Sequence, residues 1–191
     1  AELMKDGLVK QEDVGRFSEK IYTEARRLIS MIEGIIKLSR LDENQIVQEK
    51  EEIDLYQITL EIKNSLSMKA AEAGIDLHVL GSPCTVSGVR QILYEMLYNL
   101  IENAVKYNDR GGHVSVTAAA MEGRATVIVE DDGIGIPPED ADRIFERFYR
   151  GDKSHSSERE GTGLGLSIVK HGAKYHGAKI EVESEVGKGT K

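Results

Sequence analysis

The residues best suited to chemistry in this 191-residue chain form four short elements in its second half. They are Asn99-x-x-x-Asn103-x-x-Lys106-Tyr107, Asp131-x-Gly133-x-Gly135, Ile144-Phe145-Glu146-Arg147-Phe148-Tyr149 and Gly161-Thr162-Gly163-Leu164-Gly165-Leu166. These elements offer an amide oxygen for a hard cation, a carboxylate for an amine, basic side chains for phosphates, and glycine backbone for close approach. None of these groups identifies a ligand alone, but together they predict an ATP site.

The first element lies on a predicted helix from about residue 89 to 105. At 100° per residue its polar and apolar residues separate onto two sides: Asn99, Glu102, Asn103 and Lys106, against Leu93, Leu97, Leu100 and Ala104. An asparagine carboxamide oxygen suits Mg²⁺, which usually keeps several waters and shares its other positions with phosphates. We therefore predict Asn103 as a magnesium ligand and Lys106 as a phosphate contact. An ordinary helix with a solvated polar face is the alternative for this element alone.

The second element follows directly on a predicted strand, where the chain must turn sharply. The Asp131 carboxylate can accept a hydrogen bond from an adenine amino group, and Gly133 and Gly135 let the base lie against the backbone. A dinucleotide-binding fingerprint would need a third glycine where this chain has Pro138, so that interpretation fails. A simple turn is the remaining alternative.

The third element begins a locally basic segment in a chain of net charge −8. Residues 143–159 carry five basic groups (Arg143, Arg147, Arg150, Lys153 and Arg159) and three acidic ones. Such a segment can attract polyphosphate, with Ile144, Phe145 and Phe148 anchoring it on the domain. Residues 152–160 are polar and aperiodic, which predicts a mobile lid that orders over ATP, with a solvated surface loop as the alternative.

The fourth element is a glycine-rich turn before Ile168, Val169 and Ala173, whose spacing is helical. A helix that opens there offers unpaired N–H groups and a favourable dipole to phosphate oxygens. A later glycine pair, Gly187-Lys188-Gly189-Thr190, does not have the glycine spacing of a Walker loop. A hairpin turn explains this pair at least as well as a functional role does.

In this order the four elements resemble the catalytic ATP-binding domain of bacterial sensor histidine kinases, within the GHKL superfamily that includes gyrase and mismatch-repair ATPases. The resemblance covers the chain from about residue 11 and implies a Bergerat-type fold, ATP and Mg²⁺ as cofactors, and adenine selection by Asp131. Together with the reasoning above it predicts the nucleotide contacts Asn103, Lys106, Tyr107, Asp131, Gly133, Gly135, Ile136, Arg147, Phe148, Arg150, Gly161, Thr162, Gly163, Leu164, Gly165 and Leu166. For catalysis we predict Asn99, Glu102, Lys106 and Arg147.

The elements that must position these residues mix helices and strands without regular alternation, which predicts an α+β, two-layer α/β sandwich. Helices are predicted at residues 53–73 and 89–105. Strands are predicted at 75–79, 114–116, 125–129 and 180–182, with a turn at Glu122-Gly123.

A long amphipathic helix is predicted at residues 13–41, ahead of these elements. Its apolar stripe consists of Phe17, Ile21, Ala25, Leu28, Ile32, Ile35 and Leu38. Residues 1–4 resemble the end of a partner helix that stops at Gly7, so the chain is predicted to begin within a truncated helical hairpin. We assign residues 1–43 to a partial dimerisation and phosphotransfer hairpin and residues 44–191 to the catalytic ATP-binding domain.

The composition of the chain indicates which classes of partner and which cellular compartment are expected. The net charge of −8, from 25 basic and 33 acidic residues, disfavours nucleic acid as a partner. The single cysteine, Cys84, is predicted to be a buried apolar residue, in agreement with a reducing compartment. The apolar runs are too short to cross a bilayer, and the first residues do not have the basic-then-apolar pattern expected of a leader. We expect a cytoplasmic domain whose parent protein is anchored in the membrane through upstream segments.

The five histidines are His78, His113, His155, His171 and His176. None has the His-Glu/Asp-x-x-Thr/Asn-Pro context of a phosphoacceptor, so we predict surface or packing roles and expect the acceptor helix before Ala1. The chain alone should then fail to autophosphorylate. The resemblance implies three protein partners: a phosphoacceptor helix of its own or a partner subunit, a response regulator receiver domain, and a second copy in a full-length homodimer.

Two other functions remain open. An ATPase of the same superfamily would place a water-activating glutamate where this chain has Asn99, although the adjacent Glu102 could act as the base. A helical dimerisation and adaptor protein would bind nucleotide without chemistry. Free phosphate released without a protein acceptor distinguishes the ATPase, and binding without transfer distinguishes the adaptor.

Overall fold

The computed structural model describes residues 2–5, 7, 10–42, 49–151 and 161–191. Its helices are α1 Glu2–Lys5, α2 Val14–Asp42, α3 Leu55–Ala73, α4 Arg90–Lys106, α5 Pro138–Ala141 and α6 Gly165–His176. Its strands are β1 Glu51–Asp54, β2 Asp76–Gly81, β3 Thr85–Gly88, β4 His113–Met121, β5 Arg124–Asp131, β6 Ser184–Glu185 and β7 Gly189–Thr190. The predicted lid, with Lys153, His155 and Arg159, and the predicted boundary near residue 44 lie outside the described residues.

The larger sheet has the strand order β2-β4-β5-β7-β6, in which β2 and β4 are parallel and the other neighbours are antiparallel. The β4–β5 hairpin turns at Glu122 and Gly123, whose φ angles of 50° and 77° match the twist of the flanking strands. This confirms the predicted turn. The far end of β5 pairs with β7 at Asp131 and Thr190, so the last hairpin lies beside the end of β5.

Helices α3 and α4 cover one face of this sheet. Alternate residues of β4 (Val114, Val116 and Ala118) are fully buried. The helices contribute apolar residues at helical spacing: Ile58, Ile62, Leu66, Leu93, Leu97 and Ile101. The two-layer α+β arrangement confirms the predicted fold class, and Cys84 is buried in this core as predicted.

Helix α3 begins two residues after its predicted start, because Asp54 ends a strand and caps the helix. The Asp54 carboxylate accepts hydrogen bonds from the backbone N–H groups of Tyr56 (3.0 Å) and Cys84 (3.0 Å). Ile53 therefore belongs to β1, which pairs with β3 in a small sheet that the sequence did not predict. Both strands have four residues, too few to establish a period.

The strand predicted at residues 180–182 is wrong, and the final strands lie later, at β6 and β7. Ile180 packs on the core, whereas Val182 is 40% exposed, so the two apolar side chains do not share a buried face. The chain instead reverses between β6 and β7, where Lys188 N–H donates to the Glu185 carbonyl (3.0 Å). The hairpin interpretation of the late glycine pair is thereby confirmed.

Helix α2 occupies the predicted range and packs on α6. Leu38, the last residue of the predicted apolar stripe, is buried with Leu164 and Ile168, and a Cβ on Gly34 would lie 2.7 Å from Leu164 Cδ1. Lys37 Nζ also pairs with a Glu95 carboxylate oxygen of α4 at 2.9 Å.

A broad apolar face of α2 remains exposed on the side away from these contacts. It comprises Ile21, Tyr22, Leu28, Ile29, Ile32, Ile35 and Ile36. Despite these residues, none of the helices within the described ranges has the length and apolarity needed to cross a membrane.

Candidate nucleotide-binding site

The C-terminal end of α4 faces the glycine-rich turn. The Lys106 ammonium lies 2.7 Å from where a Cβ on Gly161 would be, and 4.9 Å from the centre of the Tyr107 ring. Asn103 is half-buried, and its carboxamide makes no hydrogen bond within the described part of the chain. A half-buried amide without a protein partner costs free energy unless solvent or a ligand satisfies it. Asn103 is thus available to a ligand at the side of α4 that carries Lys106.

Asn99 and Glu102 contact different elements, although the sequence placed them on one side of the helix. The Asn99 amide donates to the Glu95 carbonyl (2.7 Å), and its Oδ1 lies 2.6 Å from where a Cβ on Gly165 would be. The Glu102 carboxylate instead pairs with Lys69 Nζ of α3 at 2.7 Å. Asn99 therefore contacts the start of α6, and Glu102 is held on the α3 side.

Asp131 ends β5 between two neighbouring strands, opposite Val114 of β4 and Thr190 of β7. Burial raises the pKa of its carboxyl, against the opposing effect of hydrogen bonds from the backbones of Gly133 and Thr190. Its Oδ1 accepts the Gly133 N–H at 3.0 Å. The acceptor oxygens of Asp131 are therefore fixed in a partly desolvated position, which suits recognition of an amino group.

The turn after Asp131 is packed between α4 and the last hairpin. A Cβ on Gly133 would lie 2.6 Å from the Tyr107 carbonyl oxygen, which also accepts the Ile134 N–H at 3.2 Å. Gly135 has a φ of 67°, and a Cβ there would collide with the Glu185 carbonyl. Both predicted glycines are thus required by close backbone approach, one on each side of the turn.

The aromatic-basic segment is bonded to the glycine-rich turn. Phe148 N–H donates to the Gly163 carbonyl at 2.9 Å, and a Cβ on Gly163 would lie 2.7 Å from the Phe148 carbonyl carbon. Phe148 itself has a φ of 64°, an unfavourable conformation for a bulky residue, and half of its side chain is exposed. The Arg150 guanidinium reaches the Gly161 carbonyl at 3.5 Å. These contacts bring the third and fourth elements together.

A second set of contacts fixes the start of this segment to α5. The Tyr149 hydroxyl donates to an Asp140 carboxylate oxygen at 2.5 Å, and the Arg143 guanidinium lies 4.2 Å from the centre of the Tyr149 ring. Arg147 is exposed on the same segment. Ile144 and Phe145 are half-buried, in agreement with the predicted anchoring role.

The glycine-rich turn leads into α6 as predicted. Thr162 Oγ1 accepts the Leu164 N–H at 3.3 Å, and the buried Ser167 hydroxyl donates to the Leu164 carbonyl at 2.7 Å. Leu164 is 1% exposed and points into the contact with α2, whereas Gly165 and Leu166 are half-buried. The N-terminal end of α6 is therefore adjacent to both α4 and α2.

Three side chains that stabilise this site were not predicted from the sequence. Asn108 and Asp132 share a hydrogen-bond network with His113 beside the Asp131 turn. The Ser184 hydroxyl accepts the Ile136 N–H at 2.8 Å and ties this turn to β6. The only sequence signal was the position of Asn108 three residues past the predicted end of the helix at residue 105, because the other partners are distant in sequence.

The histidines of the described residues have surface or packing positions, as predicted. His78 and His113 are exposed, and His171 is half-buried. His176 accepts the Val89 N–H on Nε2 at 3.1 Å and shares a hydrogen bond with the Gly172 carbonyl at 2.9 Å, and burial lowers its pKa.

The proteins similar to this chain in sequence and those similar to it in structure are both histidine kinases. Residues 88–191 match the family model described as Histidine kinase-, DNA gyrase B-, and HSP90-like ATPase. The chain is 39% identical over 180 residues to the sensor-like histidine kinase SenX3 of Mycobacterium tuberculosis (strain ATCC 25618 / H37Rv), covering 94% of this chain and 44% of SenX3. It is 33% identical over 162 residues to the sensor histidine kinase CusS of Escherichia coli (strain K12). That match covers 85% of this chain and 34% of CusS.

Among solved structures, full-length ShkA in complex with AMPPNP superimposes with a TM-score of 0.77 and 30% sequence identity. That match covers 92% of this chain and 37% of the ShkA chain. The chain spans less than half the length of the curated relatives that it matches.

Proposed function

The chain belongs to the histidine kinase-, DNA gyrase B-, and HSP90-like ATPase family as an ATP-binding histidine kinase module, and on that premise we propose that it transfers the γ-phosphoryl group of ATP to a histidine outside these 191 residues. The observation that carries this proposal is the convergence of Asn103, Lys106 and the glycine-rich turn at one end of α4. Full-length ShkA, which this chain resembles at 30% identity, has a structure with the ATP analogue AMPPNP.

The residues present fit Mg²⁺ and ATP. The Asn103 carboxamide is half-buried without a protein partner in the described ranges, and Lys106 directs its ammonium to Gly161. Magnesium typically takes one or two protein oxygens and completes its shell with phosphate and water. We propose Asn103 as its protein ligand, with Tyr107, Ile136 and Leu166 beside the nucleotide.

Bound Mg²⁺-ATP supplies the transferable phosphoryl group and partial neutralisation of its charge. The chain supplies position and further positive charge: Asp131 orients the base, and Lys106, Arg147 and Arg150 offset phosphate charge. Asn99 lies against Gly165 at the start of α6, and we propose that the N-terminal N–H groups of α6 bind phosphate oxygens.

The position of Glu102 supports transfer over hydrolysis. Its carboxylate is neutralised by Lys69 at 2.7 Å and accepts a weak hydrogen bond from the Tyr98 hydroxyl at 3.4 Å. A carboxylate committed to an ion pair on the α3 side is a poor general base for water at the Asn99 side. We therefore prefer a protein nucleophile supplied from outside the chain.

We propose that residues 1–43 belong to a helical hairpin and residues 44–191 to the catalytic domain. The exposed apolar face of α2 supports this division, because such a face requires partner helices. We infer that these partners are the phosphoacceptor helix and a second copy of the full-length protein. A response regulator receiver domain would then accept the phosphoryl group, and upstream segments would anchor the parent protein in the membrane.

The test uses the chain extended upstream to include the acceptor helix, incubated with γ-labelled ATP and Mg²⁺. We expect acid-labile, base-stable label on protein, and its loss in Asn103→Ala. Asn64→Ala is the matched control, because Asn64 is an exposed asparagine on α3. Release of free phosphate without protein label would favour the ATPase, and nucleotide binding without either product would favour the adaptor.

A further inference from the structure

The Asp132 carboxylate joins three segments of the chain behind the Asp131 turn. Its Oδ1 accepts the backbone N–H of His113 at 2.6 Å and the Asn108 side-chain amide at 3.0 Å. Its Oδ2 lies 3.0 Å from Nδ1 of the His113 ring. One side chain thus links the end of β5, the start of β4 and the loop after α4.

Asn108 is the second member of this network, and it is 7% exposed. Its Nδ2 donates both to the His113 carbonyl at 3.0 Å and to Asp132 at 3.0 Å, while its Oδ1 accepts the Asp109 N–H at 2.8 Å. A buried amide with all of these partners has one orientation, because any rotation would break several hydrogen bonds. Asn108 therefore fixes the backbone that follows Tyr107.

The network is adjacent to the groups that face the nucleotide. Asp132 lies between Asp131 and Gly133, and Gly133 donates its N–H to the Asp131 carboxylate. A Cβ on Gly133 would lie 2.9 Å from Asn108 Cα, so the turn has no free space on that side. A shift of Asp132 or Asn108 must therefore move the turn that carries the Asp131 carboxylate.

We propose that Asp132 and Asn108 are positioning residues that set the preference for adenine over guanine, by holding the Asp131 carboxylate at a fixed place beside α4. The inference rests on the proposed adenine contact of Asp131. Guanine presents a carbonyl where adenine presents an amino group, so the preference depends on an acceptor fixed at that point. Neither Asp132 nor Asn108 contacts the base itself.

The ionised state of Asp132 is secure at physiological pH. Hydrogen bonds from His113 and Asn108 lower its pKa to about 2, so its oxygens remain acceptors. The charged group next to it in the chain is Asp131, and the titratable group facing it from β4 is His113.

The test measures the dissociation constants of ATP and GTP for each variant and takes their ratio. Phosphate contacts contribute equally to both nucleotides, so the ratio reports base recognition, and a purely structural loss of stability leaves it unchanged. Because loss of a positioned polar partner typically costs about tenfold, we expect Asp132→Ala and Asn108→Ala to lower the preference for ATP at least about 5-fold. Asp132→Asn keeps Oδ1 as an acceptor, so the ratio of dissociation constants in this variant should stay within about 2-fold of that of the original chain.

Two further variants make the outcome decisive. Asp76→Ala is the matched control, because Asp76 is an exposed aspartate bonded to His78 at 2.7 Å on β2, and its ratio should not change. Asp131→Asn tests the underlying contact. If Asp131→Asn leaves the ratio unchanged, the proposed role of Asp131 fails. If Asp131→Asn lowers the ratio but the Asp132 and Asn108 variants do not, the positioning inference alone is overturned.

Alanine variants that fail to fold do not end the test. Asp132→Ser is compatible with a turn, yet its hydroxyl oxygen is bonded to Cβ, one bond closer to the backbone than the carboxylate oxygens, so it cannot reach the same partners from the same backbone position. We expect this variant to lower the ratio as well. A ratio equal to that of the original chain would refute the inference.

Discussion

Gly135→Ala, compared with Gly187→Ala, isolates the effect of close backbone approach at the nucleotide site. The two glycines have similar left-handed φ angles, 67° and 76°. A Cβ on Gly135 would collide with the Glu185 carbonyl, whereas a Cβ on Gly187 meets nothing within 4 Å. The two substitutions therefore share the conformational strain and differ in the collision.

The left-handed conformation alone costs an alanine about 1–2 kcal/mol. For Gly187→Ala we expect a loss of that size, which corresponds to a fall in Tm of roughly 2–8 °C for a chain of this length, and an unchanged affinity for ATP. In Gly135→Ala the β6–β7 hairpin must also move, because the new Cβ meets its backbone, which cannot change rotamer as a side chain can. We expect a further loss of about 1–3 kcal/mol and an ATP affinity at least tenfold weaker.

Thermal melts followed by circular dichroism give the stabilities, and isothermal titration with AMPPNP and Mg²⁺ gives the affinities. The informative quantity is the difference between the two variants, because the shared strain cancels. Equal losses of stability with equal affinities would refute the reasoning, since they would mean that the turn and the hairpin do not press on one another as described.

Three further predictions concern Asp131, His176 and Leu164. Asp131→Asn should abolish most ATP binding in titration, yet stabilise the free protein by about 0.5–1 kcal/mol in melts, because burial raises the folded-state pKa and the ionised carboxyl is a net cost at neutral pH. In the original chain ATP affinity should fall as pH drops through that raised pKa, because the carboxyl then becomes protonated. His176 has a lowered pKa and is neutral when it accepts the Val89 N–H, so this stabilisation is complete above the unfolded-state pKa of about 6.5 and is lost as pH falls through the folded-state value. Melts of His176→Gln across that range should vary less with pH. Leu164→Ala should destabilise the chain by about 2–4 kcal/mol, because its side chain is 1% exposed, whereas Leu80→Ala, at 58% exposure, should change the free energy of unfolding by less than about 0.5 kcal/mol.

Much of the fold could be predicted because its long elements have clear periods. Helix α4 is an example, since Leu93, Leu97 and Ala104 repeat at helical spacing and are buried as expected. β1 and β3 could not be found in this way, because four residues do not establish a period. The error at Ile180 has the same origin: two apolar residues separated by one position suggested a strand that tertiary packing did not form.

The site was predictable where residue types limit the chemistry. Asp131 at a strand end and the glycines beside it are such residues, and their close contacts with Tyr107 and Glu185 explain why glycine is needed. Their supports were not predictable, because Asn108 and Asp132 are 24 positions apart and Ser184 lies 48 positions from Ile136. Hydrogen bonds between such distant residues leave no local pattern.

The contact between Gly34 and Leu164 restricts the ways in which α2 can move. Leu164 fits against α2 at the one position of that surface where the helix lacks a Cβ. A slide by one residue, about 1.5 Å, or a rotation by about 100° would bring the side chain of Glu33 or Ile35 to this point. The other glycine of α2, Gly15, lies about 28 Å away along the axis. The helix and the glycine-rich turn therefore pack together in a single register. Any axial motion of α2 must first separate the Leu164 side chain from Gly34.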